Sequence, residues 1–83
     1  MNKQTCPFNA NTNLEYQGRN PILLVSAGFK SPKWATFLQW RELDRKIIKG
    51  SKGTHLATFG EDSDGEKYMS HFVVFNEDQT IKI

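Results

Sequence analysis

The sequence predicts an α+β fold in which two short helices pack on a small antiparallel β-sheet. Helix-start signals stand at Asn20-Pro21 and at Thr36, and two strand-forming runs flank an acidic, glycine-containing turn at residues 60–66. With 83 residues, the chain has the length of one small domain, residues 1–83. A chain of this size buries only about 60% of its unfolded surface, so its core must be compact.

The first helix is expected to begin at Asn20-Pro21, after an irregular N-terminal segment that covers residues 1–15. Asparagine is a favoured N-cap, and proline at the first helical position has a preset φ and needs no intrahelical partner for its nitrogen. The apolar run Ile22–Ala27 continues the helix, and Gly28 ends it. A loop is predicted at Lys30–Lys33, with Trp34 beside it.

The second helix has a capping box, because Thr36 is followed three residues later by Gln39. Its apolar residues recur at near-helical spacing, and the helix is expected to end near Asp44. We expect the core to include the aromatic residues Phe37, Trp40, Phe72 and Phe75.

The best predicted strands are Thr54–Phe59 and Tyr68–Phe75, which are joined by the turn at residues 60–66 into an antiparallel hairpin. A short strand is predicted at Lys46–Lys49. It is followed by the turn Gly50–Gly53.

Charge is divided unevenly along the chain, although the formal net charge is only +2. Residues 19–52 contain eight basic residues and two acidic ones, whereas residues 61–83 contain six acidic residues and two basic ones. Two solvated faces would explain this division, and so would a basic surface for an anionic partner. The single cysteine, Cys6, and the lack of a signal-peptide or membrane-length apolar run predict a cytoplasmic protein.

No residue pattern indicates catalysis, a metal or another cofactor, so we expect a protein that is not an enzyme. The two histidines, His55 and His71, lie on neighbouring predicted strands without the close pair and third ligand of a zinc site. Asp62–Glu66 lacks the ligands of a calcium loop, and Cys6 has no nearby base. An acidic turn and an incidental thiol explain these residues better.

Aromatic residues beside lysines indicate binding of single-stranded nucleic acid, which combines cationic contacts to phosphates with stacking of bases on aromatic rings. Trp34 and Tyr16 are the candidate stacking residues, although Trp34 would equally serve to anchor its loop to the core. Arg19 would contact a phosphate or stack. The candidate phosphate contacts are Lys30, Lys33, Lys46, Lys49 and Lys52. The turn that contains Lys49 and Lys52 also has two glycines, which would let backbone amides converge on an anion.

Four segments resemble those of the ArdC-type antirestriction proteins in their N-terminal domain. They are Tyr16-Gln17-Gly18-Arg19-Asn20, Ser31–Gln39, Lys49-Gly50-Ser51-Lys52-Gly53-Thr54 and Val74–Thr80. They occur in the same order as in that family and span residues 16–80. The resemblance implies a small α+β domain that binds single-stranded DNA and that usually precedes a metalloprotease-like domain. Asp44 and Arg45 replace glycines that are often found in the family.

The leading hypothesis is therefore sequence-tolerant binding of single-stranded DNA in the counter-defence of a phage or other mobile element. A different class of function is kept beside it, a protein that binds and inhibits a host defence nuclease of the restriction or CRISPR type. The acidic turn motivates that alternative, because it would imitate the charge of a nucleic acid.

Overall fold

The computed structural model describes residues 6–83, and its longest element is the predicted hairpin of strands β4 (Thr54–Glu61) and β5 (Lys67–Asn76). The strands pair antiparallel from Thr54 opposite Val74 to Glu61 opposite Lys67. The hairpin prediction is confirmed, and both strands extend further toward the turn than expected. The Asp62 carboxylate closes the turn by accepting the amides of Asp64 and Glu66, both at 2.9 Å.

Two short strands complete a four-stranded sheet in the order β1-β2-β5-β4. Strand β2 (Lys33–Ala35) is antiparallel to β5, and β1 (Phe8–Asn9) runs parallel to β2. The prediction of an irregular segment is wrong for residues 8–9, and the prediction of a loop is wrong for Lys33 and Trp34. Both stretches are strands because β2 pairs with β1 on one side and with β5 on the other. The α+β class is confirmed, with one parallel pair in an otherwise antiparallel sheet.

A second, two-stranded sheet is formed by β3 (Arg45–Ile47) and β6 (Thr80–Lys82). The strand predicted at Lys46–Lys49 therefore begins and ends earlier, and β6 was not predicted. A short 3-10 helix, Glu77–Gln79, connects β5 to β6. Since β6 follows β5 directly through this turn, the two sheets are joined at the C-terminal end of β5.

The capping box of the second helix, α2 (Phe37–Glu42), is confirmed. The Thr36 hydroxyl accepts the Gln39 amide at 3.3 Å, and the Gln39 side chain accepts the Thr36 amide at 3.1 Å. With only six residues, the helix buries one side chain, Trp40, whose indole N–H donates to the Phe75 carbonyl at 2.8 Å. Phe37, the first residue of α2, is 47% exposed, so its predicted place in the core is wrong.

The first helix, α1 (Asn20–Ser26), begins where predicted, but Asn20 is its first residue and does not act as its cap. The side-chain nitrogen of Asn20 donates to the Ala57 carbonyl at 3.0 Å, and its side-chain oxygen accepts the Ala57 amide at 3.4 Å. Strand β4 lies at the edge of the sheet, where unpaired backbone groups invite other strands to pair. Asn20 thus occupies the position that a neighbouring strand would take and covers the middle of this edge.

We expect Asn20→Ala to lower the free energy of unfolding by about 1–2 kcal/mol, because Ala57 would lose both partners at a half-buried edge. For a domain of this size, that corresponds to a fall in melting temperature of about 4–8 °C per kcal/mol. Thermal unfolding followed by circular dichroism measures it. The exposed residue Gln17, changed to alanine, is the control, and equal melting temperatures for the two variants would contradict the role of Asn20.

The main core lies between α1 and the sheet. It consists of Leu24, Trp34, Leu56 and Val74, all less than 3% exposed, with Tyr16 and Phe72 packed against them. Phe72 and Phe75 are half-buried, and Trp40 is 1% exposed. Three of the four aromatic residues predicted for the core are therefore at least partly buried.

Candidate nucleic-acid interface

Two lysine-containing loops meet at one end of the four-stranded sheet. Strands β2 and β4 are both antiparallel to β5, so both begin beside its C-terminal end. Since adjacent strands lie about 4.8 Å apart, the loops that lead into β2 and β4 are separated by roughly 10 Å. We call this surface the basic end of the sheet. Its exposed cationic residues are Lys30, Lys33, Lys49 and Lys52.

The loop before β2 is held by residues at the end of β5. The Asp78 carboxylate accepts the amides of Lys30 and Ser31, both at 3.2 Å. Ser31 also donates its hydroxyl to Glu77 at 2.8 Å, and its carbonyl accepts the side-chain amide of Asn76 at 2.8 Å. These bonds fix the backbone of the loop while the side chains of Lys30 and Lys33 stay exposed. The same bonds engage both acidic side chains, although the carboxylates still reduce the positive potential nearby.

The loop before β4 is held by Gln79 in the same 3-10 helix. Its side-chain nitrogen donates to the Lys52 carbonyl at 2.8 Å, and its side-chain oxygen accepts the Asn76 amide at 2.9 Å. Its own carbonyl accepts the Ile48 amide at 2.8 Å. A single turn, residues 76–79, therefore positions both lysine-containing loops.

Backbone conformation and close packing explain Gly50 and Gly53, the two glycines of the loop before β4. Gly50 has a φ of 89°, which L-residues rarely adopt. A Cβ on Gly53 would clash with a Val73 methyl carbon, so glycine lets the loop approach β5. The Ser51 amide donates to the Ile48 carbonyl at 3.0 Å. These contacts explain the glycines without an anion, so the lysines remain the groups that would attract one.

The structure contradicts the stacking role of Trp34. Its side chain is 1% exposed and belongs to the main core, so neither ring face can receive a base. The alternative role, an anchor for its loop, is the one observed. Because β2 pairs Trp34 with Asn76, its side chain points to the same face of the sheet as Val74 and is covered by α1.

Phe29 takes the exposed position that the sequence predicted for Trp34. It is 37% exposed, and its ring packs edge-on against Trp34 with ring centres 5.6 Å apart and planes at 83°. It lies between Gly28, with a φ of 85°, and Lys30. The sequence contained a signal for it, an aromatic residue directly beside a lysine after a helix-ending glycine.

Tyr16 and Arg19 lie away from the basic end of the sheet. They precede α1, whereas Phe29 and Lys30 follow it, and a helix of seven residues is about 10 Å long. Tyr16 is half-buried, and its hydroxyl accepts the Asn9 side-chain amide at 3.1 Å. Burial raises the pKa of this hydroxyl, and the hydrogen bond to Asn9 opposes that shift. Arg19 is exposed and makes no side-chain cap to α1.

Lys46 belongs to the second sheet and to neither lysine-containing loop. It is exposed on β3, where it pairs with Ile81 in the second sheet. Of the eight predicted nucleic-acid contacts, the structure therefore brings together Lys30, Lys33, Lys49 and Lys52.

The acidic turn lies at the opposite end of the hairpin. Glu61, Asp62, Asp64 and Glu66 are all exposed, and β4 separates them from the basic end by about 23 Å at 3.3 Å per residue. Near the turn, Phe59 and Met69 pair across the strands and are 81% and 51% exposed. The sheet thus has a lysine-rich end and an acidic turn at opposite ends of β4, although Glu77 and Asp78 lie at the lysine-rich end.

Within residues 6–83, no helix has the length and apolar character needed to cross a membrane.

Fold and site together define a small α+β domain with a lysine-rich sheet end. The family model described as the N-terminal domain of anti-restriction factor ArdC matches residues 1–81. This chain belongs to that family.

Solved structures agree with this assignment. The crystal structure of the antirestriction protein ArdC from plasmid R388, in its metal-free form, superposes with a TM-score of 0.79 at 32% identity. The match covers 94% of this chain and 33% of that one. The Mn(II)-bound structure of the same protein gives a TM-score of 0.78 at 30% identity and covers 94% of this chain and 35% of that one. The recognition of an ArdC-like N-terminal domain from the sequence is confirmed.

Two curated proteins are similar over shorter stretches. The uncharacterized protein y4eC of Sinorhizobium fredii is 34% identical over 64 residues, which are 72% of this chain and 20% of that protein. The DNA primase TraC of Escherichia coli is 35% identical over 48 residues, 58% of this chain and 4% of the primase. This chain therefore spans about a fifth of the first relative and a small fraction of the second.

Proposed function

We propose that the domain binds single-stranded DNA through the basic end of the sheet, with little preference for base sequence. The main observation is that one turn, residues 76–79, holds two lysine-containing loops about 10 Å apart with their lysines exposed. A cationic track beside an exposed aromatic ring is how single strands are bound without sequence readout. The role is binding without catalysis, in the cytoplasm.

The biological role that we propose is antirestriction on behalf of a phage or other mobile element. The chain's family is that of the anti-restriction factor ArdC, and the similar solved structures are of an antirestriction protein from a plasmid. Similarity to a DNA primase over 48 residues adds support for a nucleic-acid ligand.

We expect Lys49→Ala/Lys52→Ala to weaken binding of a single-stranded oligonucleotide about tenfold at low salt. Each exposed ion pair contributes up to about 1 kcal/mol, and 1.4 kcal/mol is a factor of ten. The log–log dependence of affinity on salt should become less steep by about 1.4, because each single-strand phosphate contact contributes about 0.7. Fluorescence anisotropy between about 50 and 200 mM salt measures both.

The matched control is Lys67→Ala/Lys82→Ala, which removes the same charge from the far part of the hairpin and from β6. It should leave the salt slope unchanged. If the two double variants lose affinity equally, net charge and not the basic end determines binding. If the unmodified protein does not bind single strands at low salt, the proposed function is wrong.

The acidic turn favours a second candidate function, in which the domain inhibits a host defence nuclease by binding it. The observation is that the exposed acidic residues of the turn follow Phe59, which is 81% exposed, at the same end of the hairpin. A pull-down with Glu61, Asp64 and Glu66 changed to lysine tests it, with Asp62 kept because its carboxylate closes the turn. Undiminished capture of a nuclease would exclude the turn as the contact.

A further inference from the structure

A pocket of about 280 Å³ opens between the C-terminal part of α1 and the loop that follows it. Its apolar lining includes Val25, Phe29, Pro32 and the core residue Trp34, and the loop adds the polar residues Lys30 and Ser31. The pocket therefore adjoins the basic end of the sheet on the side of β2.

The size of the pocket suits one nucleobase. Its volume equals that of about nine water molecules at roughly 30 Å³ each. Typical small-molecule sites begin at about 300 Å³. A planar base fits such a space, whereas a whole nucleotide would leave its sugar and phosphate outside, beside Lys30.

The aromatic wall of the pocket is fixed in place before any ligand arrives. Phe29 packs edge-on against Trp34, whose own position is set by the main core. A ring held in this way loses little conformational freedom when a base packs against it. Phe29 thus combines partial exposure with a rigid support.

The polar groups of Ser31 already have partners within the domain. Its amide donates to Asp78, its hydroxyl donates to Glu77, and its carbonyl accepts from Asn76. These groups do not offer free hydrogen bonds to the edge of a base. Ser31 therefore does not read the edge of a base, and the aromatic contact with Phe29 is one that every base can provide, beside the exposed side chain of Lys30.

We propose that this pocket receives one unstacked base of a bound single strand, packed against Phe29, while the adjoining phosphate contacts Lys30. The inference rests on the proposed function and gives it a specific base-binding site. It also explains how binding tolerates any sequence, since the pocket would hold a base without reading its edge.

We expect Phe29→Ala to weaken binding of a thymidine oligonucleotide about five- to 140-fold, the range of one lost base–aromatic contact. The salt slope should not change, because no phosphate contact is removed. Binding of an oligonucleotide of equal length made of abasic deoxyribose phosphates should be the same for the variant and the unmodified protein. Phe37→Ala, which removes an exposed aromatic side chain of α2 outside the pocket, is the control and should have no effect.

Phe29→Tyr should keep most of the affinity and so separates the loss of the ring from a loss of folding. If the unmodified protein binds the thymidine oligonucleotide and Phe29→Ala, still folded by circular dichroism, binds it equally well, the pocket takes no base. An equal loss on the abasic strand would also overturn the inference. If the unmodified protein binds neither oligonucleotide, the proposed function fails first and the pocket inference fails with it.

Discussion

Trp34→Ala is expected to destabilise the domain by about 3–5 kcal/mol, the usual cost of truncating a large buried aromatic side chain. Trp34 is 1% exposed and belongs to the main core with Leu24, Leu56 and Val74, and Phe29 packs on its ring. A domain of 83 residues is stable by only about 4–12 kcal/mol, so this one substitution removes a large part of the total. Urea unfolding followed by circular dichroism measures the loss.

This result would change how a DNA-binding defect of the variant is understood. A weaker affinity of Trp34→Ala would follow from the loss of the fold and would not show that Trp34 contacts a base. Trp34→Phe, which keeps an apolar ring, should retain more stability than Trp34→Ala. Unchanged stability together with weaker DNA binding would mean that Trp34 contacts the ligand, and the buried position would be wrong.

Asn76→Asp is expected to cost about 3–5 kcal/mol at pH 7, since it places an unpaired charge in the interior. Asn76 is fully buried, and its side-chain nitrogen donates to the Ser31 carbonyl at 2.8 Å while its oxygen accepts the Asp78 amide at 2.8 Å. An ionised carboxyl accepts the second bond but places an oxygen against the Ser31 carbonyl. A protonated carboxyl restores a donor there.

The penalty should therefore depend on pH. Burial raises the folded-state pKa of the introduced carboxyl above its unfolded value of about 3.9, so the protonated form favours folding. The free energy of unfolding of the variant is therefore closest to that of the unmodified protein below about pH 4. It falls as the pH rises through the folded-state pKa. Melting temperatures measured across this range test it.

Gln17→Glu makes the same chemical change at an exposed position and is the control. It should show neither the penalty nor its pH dependence. A loss of stability for Asn76→Asp that stays constant from pH 4 to pH 7 would mean that the introduced carboxyl does not contact the Ser31 carbonyl. The hydrogen bond described between the end of β5 and the loop before β2 would then be wrong.

Local signals predicted the elements that local interactions form. The capping box at Thr36 and Gln39 places α2, and the acidic turn places the hairpin, because each depends on residues close in sequence. Strands β1, β2 and β6 have only two or three residues each and have no period to detect. They exist because of pairing with distant partners: β1 pairs with β2 about 25 residues further on.

The candidate site was predictable in composition but not in arrangement. The lysines of both loops were identified from their aromatic and glycine neighbours. That the loops share one end of the sheet depends on β2 and β4 both flanking β5, which no local pattern shows. The fact that Phe29, and not Trp34, is the exposed aromatic residue near the lysines has a similar cause. Both aromatic residues lie near a lysine, and only the pairing of β2 turns Trp34 toward the core.

The placement of the two charged ends has a consequence for how partners would sense the domain. At physiological ionic strength the electrostatic screening length is about 8 Å, roughly a third of the 23 Å that separates the basic end from the acidic turn. Each end therefore has its own local field, nearly independent of the other. The carboxylates of the acidic turn at residues 61–66 do not weaken attraction of an anion to the lysines, and the net charge of +2 describes neither encounter.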